Sequence, residues 1–195
     1  MRNVSVNNLP INNPIDAKLA VVVMGVSGSG KSVIGRALAD RLDAAFVEGD
    51  EWHPNDNRSR LCAGTALTDA QRRPWLEQIA EAVNRAGVGN RLVVAACSAL
   101  KKSYREHLRN LIDQKSLFLY LRGSFDLIKG RLETRTGHFM PAELLLSQFA
   151  DLEEPEHAIV IDVEDGIESI VDRAVRELQE RANTGQVTAA PSWIR

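Results

Sequence analysis

The sequence predicts one α/β domain in which a parallel sheet lies buried between layers of helices. Three observations carry that expectation. Five short apolar runs, mostly rich in β-branched residues, recur along the chain; longer segments of helical periodicity separate them; and GVSGSGKS (Gly25 to Ser32) joins the first run to the first helical segment. Strands alternating with helices imply parallel pairing with both sheet faces covered.

Taken in order, residues 1–17 are rich in Asn with Pro10 and Pro14, and read as a flexible arm. LAVVVMG is the first strand and 31–42 the first helix. AAFVEGD is a second strand, followed by EWHPNDNRSRLCAGTALT (51–68), which is polar, interrupted by Pro54 and Gly64, and reads as an insertion outside the sheet. Helical periodicity resumes over 69–86 behind Thr68 as N-cap, RLVVAACS is a third strand, and 99–111 is a helix capped by Ser98. SLFLYLRG is a fourth strand, 124–135 (capped by Ser124) and 141–152 are helices, and AIVIDVED is the fifth strand. Helix 166–182 closes the domain, expected to span 18–182, and 183–195 reads as a loose tail.

A chain of 195 residues buries a sufficient core without metal or disulfide staples. Its formal net charge of -2 supplies no electrostatic reason to expect nucleic acid or an acidic membrane as partner. Cys62 and Cys97 lie far apart with no zinc-like spacing, so reduced thiols in a cytoplasmic protein are expected. The N-terminal residues lack the apolar core of a secretory signal, and no run approaches the roughly 18 apolar residues of a membrane helix.

GVSGSGKS fits G-x-x-x-x-G-K-[ST] in the context that pattern needs, a buried strand before and an amphipathic helix after. Gly25, Gly28 and Gly30, with Val26, Ser27 and Ser29 between them, let backbone N–H groups approach phosphate oxygens, while the helix starting near Lys31 directs its positive end at the same anion. Lys31 would neutralise the β- and γ-phosphates of ATP, and the Ser32 hydroxyl would ligate Mg²⁺. The loop alone does not separate a kinase from a GTPase, a motor or a DNA-handling enzyme. Glu48 and Asp50 alternate at the end of the second strand, at the sheet edge where ligands of open α/β folds collect. They are candidates to position water on Mg²⁺ or to accept a proton from an attacking hydroxyl.

Together, GVSGSGKS, EGDEWHPNDNRSRLCAGTALTDAQRRPWL, CSALKKSYREHLR, YLRGSFDLIKGRLETRTGHFMPAELLLSQFADLEEP and IDV resemble the gluconate kinases over roughly residues 18–180. The resemblance implies a P-loop kinase fold with strand order 2-3-1-4-5, related to shikimate and adenylate kinases. It further implies transfer of the γ-phosphoryl group of ATP to the 6-hydroxyl of D-gluconate, and a homodimer. Asp50 resembles the base facing the acceptor hydroxyl, and Glu48 the acid near the Mg²⁺ water shell. The stretch carrying His53, Asn57, Arg58, Arg60, Arg72 and Trp75 looks like a lid and wall over the sugar acid, with a second lid segment near 131–153. A linear polyhydroxy carboxylate needs cations for its carboxylate and polar groups for its hydroxyls.

Ser98 and one of Lys101 and Lys102, with Lys101 the candidate, open the next helix toward the same substrate. Arg131 and Arg135 lie one helical turn apart, resembling lid arginines that face the adenine and the transferring phosphate respectively; His138 follows in GHF. Leu61 and Ala66 stand where the family has Met and Pro, and Arg60 replaces its Lys, keeping charge but changing hydrogen-bond geometry. Two other readings of the same residues are a kinase for another small hydroxy acid such as shikimate, and a nucleotide-dependent switch.

Overall fold

The computed structural model describes residues 18–134 and 142–184. Strands β1 (Leu19–Met24), β2 (Ala45–Glu48), β3 (Leu92–Ala96), β4 (Lys115–Arg122) and β5 (Ile159–Asp162) form one parallel sheet in the order β2-β3-β1-β4-β5. The predicted strand order is the observed one. Helices α1 (Lys31–Leu42), α2 (Asn55–Cys62), α3 (Asp69–Gly87) and α4 (Lys102–Leu111) precede β4 in the chain. Helices α5 (Phe125–Thr134), α6 (Ala142–Asp151) and α7 (Ile167–Asn183) follow it, and a 3₁₀ turn (Gly49–Trp52) directly continues β2.

Central strand β1 is buried along its whole length, since the period of two sends alternate side chains to opposite faces and both faces are covered. Leu19, Val21 and Val23 pack with Leu38 of α1, Ile128 of α5 and Ile170, Ala174 and Leu178 of α7. Ala20, Val22 and Met24 pack with Trp75, Ile79 and Val83 of α3 and Leu108 of α4. In-register pairing of Val21 with Val94 on one side and Leu117 on the other aligns the C-terminal ends of β1, β3 and β4. The loops that leave those ends are therefore neighbours.

The polar segment 51–68 lies outside the sheet as expected, and within it the structure adds helix α2. Asn57, buried on that helix, donates to Gln71 O at 2.8 Å and pins α2 against α3. One expectation needs correction: Ser98 does not cap the next helix, because Ala99 adopts φ 43 and Lys101 is extended, so α4 starts only at Lys102. Thr68 behaves as predicted, forming a reciprocal capping box with Gln71 at the start of α3. Ser124 Oγ accepts from Leu127 N–H at 3.3 Å in the first turn of α5. Among the described residues, no helix is long and apolar enough to cross a membrane.

Candidate active site

The phosphate-binding loop leaves β1 with Gly25, Gly28 and Gly30 at φ 143, 83 and 97. A Cβ on Gly25 would lie 2.8 Å from Leu121 O, and one on Gly28 would meet Leu132, so glycine is required by backbone conformation and by space at once. Gly30 stands as N-cap of α1 and, as glycine, supplies no side-chain cap to that helix end. Lys31 Nζ donates to Val26 O at 3.0 Å, folding the lysine back over the loop. Ser29 Oγ is buried within the loop without a hydrogen-bond partner. Glycine-opened amides, a lysine and the exposed hydroxyl of Ser32 suit a polyphosphate with its metal. Among the described residues no cluster of three or more His, Cys, Asp or Glu could hold a metal. That donor set fits Mg²⁺, which keeps several waters and is held by few protein oxygens plus substrate phosphates.

At the end of β2 the chain turns at once into the 3₁₀ turn carrying Asp50. Glu48 caps that turn, its Oε1 accepting from Asp50 N at 3.5 Å. Gly49 passes so close to β3 that a Cβ there would lie 2.1 Å from Ala96 O. Trp75, fully buried on α3, donates from Nε1 to Gly49 O at 2.8 Å and secures the turn from the other side. His53 stacks on Trp75 with ring centroids 4.2 Å apart, and its Nδ1 is buried without a partner. Burial pushes the His53 pKa down to about 4; the Arg72 and Arg58 charges act in the same sense, against Asp50. Arg58 donates to His53 O at 3.1 Å and to Glu51 O, so it holds the turn that presents His53. Arg60 is exposed on α2.

Arg72 projects from α3 beside the same turn and is only 5% exposed. Its Nε donates to Leu67 O at 3.3 Å, and its guanidinium lies 6.0 Å from the Tyr104 ring centroid. No carboxylate among the described residues lies within ion-pair distance of it. Lys101, in contrast, is engaged by Asp69 at 2.8 Å and Asp151 at 3.3 Å. The Asp69 contact chiefly raises the Lys101 pKa, and Asp69, which also accepts from Tyr104 OH, is held below the ordinary carboxylate range. Burial, reinforced by that bond, pushes Tyr104 up to about 12.

The third wall is the segment 97–100. Gly25 N–H donates to Ser98 O at 3.2 Å and Cys97 N–H to Val23 O at 3.0 Å, tying the phosphate loop to this segment. Buried Arg105 donates to Ala99 O at 3.1 Å and Leu100 O at 2.7 Å, holding Ala99 in its left-handed conformation. The first-turn amide of α4 does not await a ligand carboxylate: Lys102 N–H donates to Glu153 Oε2 at 2.5 Å. Cys97 is a buried spacer whose thiol burial drives up to about 12.

Arg131, on α5, donates to Val163 O just beyond β5, on the side of the phosphate loop where Leu132 covers Gly28. Arg135 and His138 lie outside the described residues. Gln148 of α6 lies in a stretch that carries the family resemblance but was given no role of its own from the sequence, yet it is buried against the phosphate loop. Arg105 and Glu153 were equally illegible in their bonding, because their partners are backbone groups in other segments.

The family profile described as shikimate kinase matches residues 27–179. The thermoresistant gluconokinase of Escherichia coli is 39% identical over 163 residues, covering 82% of this chain and 93% of that protein. The gluconokinase of Gluconobacter oxydans is 43% identical over 166 residues, covering 82% and 90%. A crystal structure of a gluconokinase from Sinorhizobium meliloti superposes with TM-score 0.78 at 40% identity, covering 87% of this chain and 96% of that one. Shikimate kinase from Aquifex aeolicus, at 16% identity and TM-score 0.52, shares the fold. By sequence, by strand order and by the phosphate loop set beside the Asp50 turn, the chain belongs to the gluconokinases, within the shikimate kinase family of P-loop kinases.

Proposed function

We propose that this protein transfers the γ-phosphoryl group of ATP to the 6-hydroxyl of D-gluconate, giving ADP and 6-phospho-D-gluconate. The observation that carries the substrate class is Arg72, a buried cation with no carboxylate within ion-pair distance among the described residues. An unpaired buried charge is costly, and the carboxylate of a sugar acid would neutralise it. Neutral His53, with its free ring nitrogen, suits a hydroxyl on the same ligand.

In this reading the amides of residues 25–32 and Lys31 hold the phosphates, Ser32 and the Glu48 side hold the metal shell, and Arg131 flanks the base. Bound Mg²⁺ supplies charge neutralisation between the phosphates. Asp50 orients the acceptor hydroxyl and takes its proton as the O–P bond forms; in a loose transition state the orientation is the larger share. Arg135 belongs to this reading as the cation on the transferring phosphoryl group. Arg60 and Ser98 complete the acceptor side. Arg58 and Lys101 have bonds of their own, so they would contact substrate only by exchanging those partners. Lid closure over 51–68 and 131–153 would exclude water from the transfer. The reading extends to a homodimer acting in the cytoplasm, as membership of the family suggests, with mass by light scattering as the check on assembly.

A coupled ADP assay across a panel of hydroxy acids tests the assignment. Gluconate turnover at least about tenfold above shikimate and every other acid is expected, with phosphorylated product equal to ADP, and with Lys31→Ala and Asp50→Asn inactive but folded. ADP release without phosphorylated product would favour a nucleotide switch instead.

A further inference from the structure

A side chain from outside the phosphate loop is hydrogen-bonded to it twice. Gln148 accepts from Ser27 N–H with Oε1 at 2.7 Å and donates from Nε2 to Ser27 Oγ at 3.1 Å, so both halves of its amide are spent on a single loop residue. The side chain is 7% exposed, and its helix is seated by Leu144 and Leu145, both buried, on the preceding turn. A loop with glycines at three positive φ values has little conformational preference of its own, so an external tether has a large effect on its shape. At its C-terminal end and just past it, α6 is fastened to the acceptor side as well, through Asp151 on Lys101 and Glu153 on the first amide of α4.

We infer that Gln148 is a positioning residue for phosphoryl transfer: through Ser27 it holds the phosphate loop in the shape that receives the nucleotide. The inference rests on the ATP-dependent reading above. It requires no contact between Gln148 and nucleotide, only that Ser27 be held.

Gln148→Met tests it, since Met preserves length and packing but supplies neither hydrogen bond; Gln148→Asn, too short to reach, is the second variant. The dissociation constant for MgATP, measured by calorimetry, is expected to rise about tenfold, the size of one net hydrogen bond. The KM for gluconate should stay within about twofold, and amide hydrogen exchange across 25–30 should accelerate without nucleotide. A purely structural role would instead lower the thermal midpoint and the active fraction while leaving the MgATP constant at its wild-type value. That result in both variants, or equal losses for both substrates, overturns the inference. Wild-type protein that binds MgATP but phosphorylates no gluconate would overturn the proposed substrate while leaving the calorimetric test of Gln148 in force.

Discussion

His53 offers a quantitative test of how the acceptor wall is built. Its imidazole is buried against Trp75, and burial lowers its pKa from 6.5 to about 4. Between those values the unfolded chain binds a proton that the folded chain refuses, so stability rises with pH through that window. The contribution is fully present above about pH 6.5 and is lost as the pH falls toward 4. At about pH 5 the difference amounts to 2.303RT times roughly 1.5 units, or about 2 kcal/mol; at about pH 7.5 it vanishes. Urea unfolding of wild type and His53→Asn at the two pH values reads this directly. Other titrating groups are common to both proteins and cancel. The stability gap between the proteins should shrink by about 2 kcal/mol in going to the acidic condition, because only the wild type has a proton to accept. A gap that does not change with pH would show that the ring finds solvent or a partner in the folded state, and the neutral-acceptor role would fall with it.

Gly49→Ala places a Cβ 2.1 Å from Ala96 O; the turn must move, and gluconate turnover should drop by at least about two orders of magnitude, as misplacement of a reacting group by about an ångström does. Wild-type kcat in that variant would refute the need for close approach. Arg72→Met should raise the KM for gluconate by about tenfold to a hundredfold with a smaller effect on MgATP, the range of a charged hydrogen bond of about 1.5–3 kcal/mol. An unchanged gluconate KM would remove Arg72 from the carboxylate site. Toward a thiol reagent at neutral pH, native protein should expose Cys62 alone, because Cys97 is buried with its pKa driven up to about 12. Rapid reaction of both thiols would contradict the packing at the end of β3.

Local chemistry was enough to reveal much of this protein. The apolar runs, the Thr68 capping box and the glycine spacing of the phosphate loop are all governed by near neighbours in the chain, so they are visible without a structure. The same holds for Glu48 and Asp50, placed at a strand end by the period of the strand itself. Segment 51–68 was legible as an insertion outside the sheet, but its helix was not, because α2 is short and polar and owes its seat to Asn57 on Gln71, a contact with the next helix. The start of α4 was misplaced because Ala99 is held at positive φ by Arg105, and the first amide is capped by Glu153 from 51 residues away.

What only the tertiary structure decided is which charges are spent and which are left over. Lys101 and Arg72 are equally basic as letters, yet Lys101 is neutralised by Asp69 and Asp151 while Arg72 is buried with no carboxylate in ion-pair contact among the described residues. Gln148 stands within a recognisable stretch of sequence, but its bonds to Ser27 exist only when α6 packs across the loop. Sequence records local preference and spacing; desolvation and pairing depend on distances between segments remote in the chain, and those exist only once the sheet has brought its strand ends together.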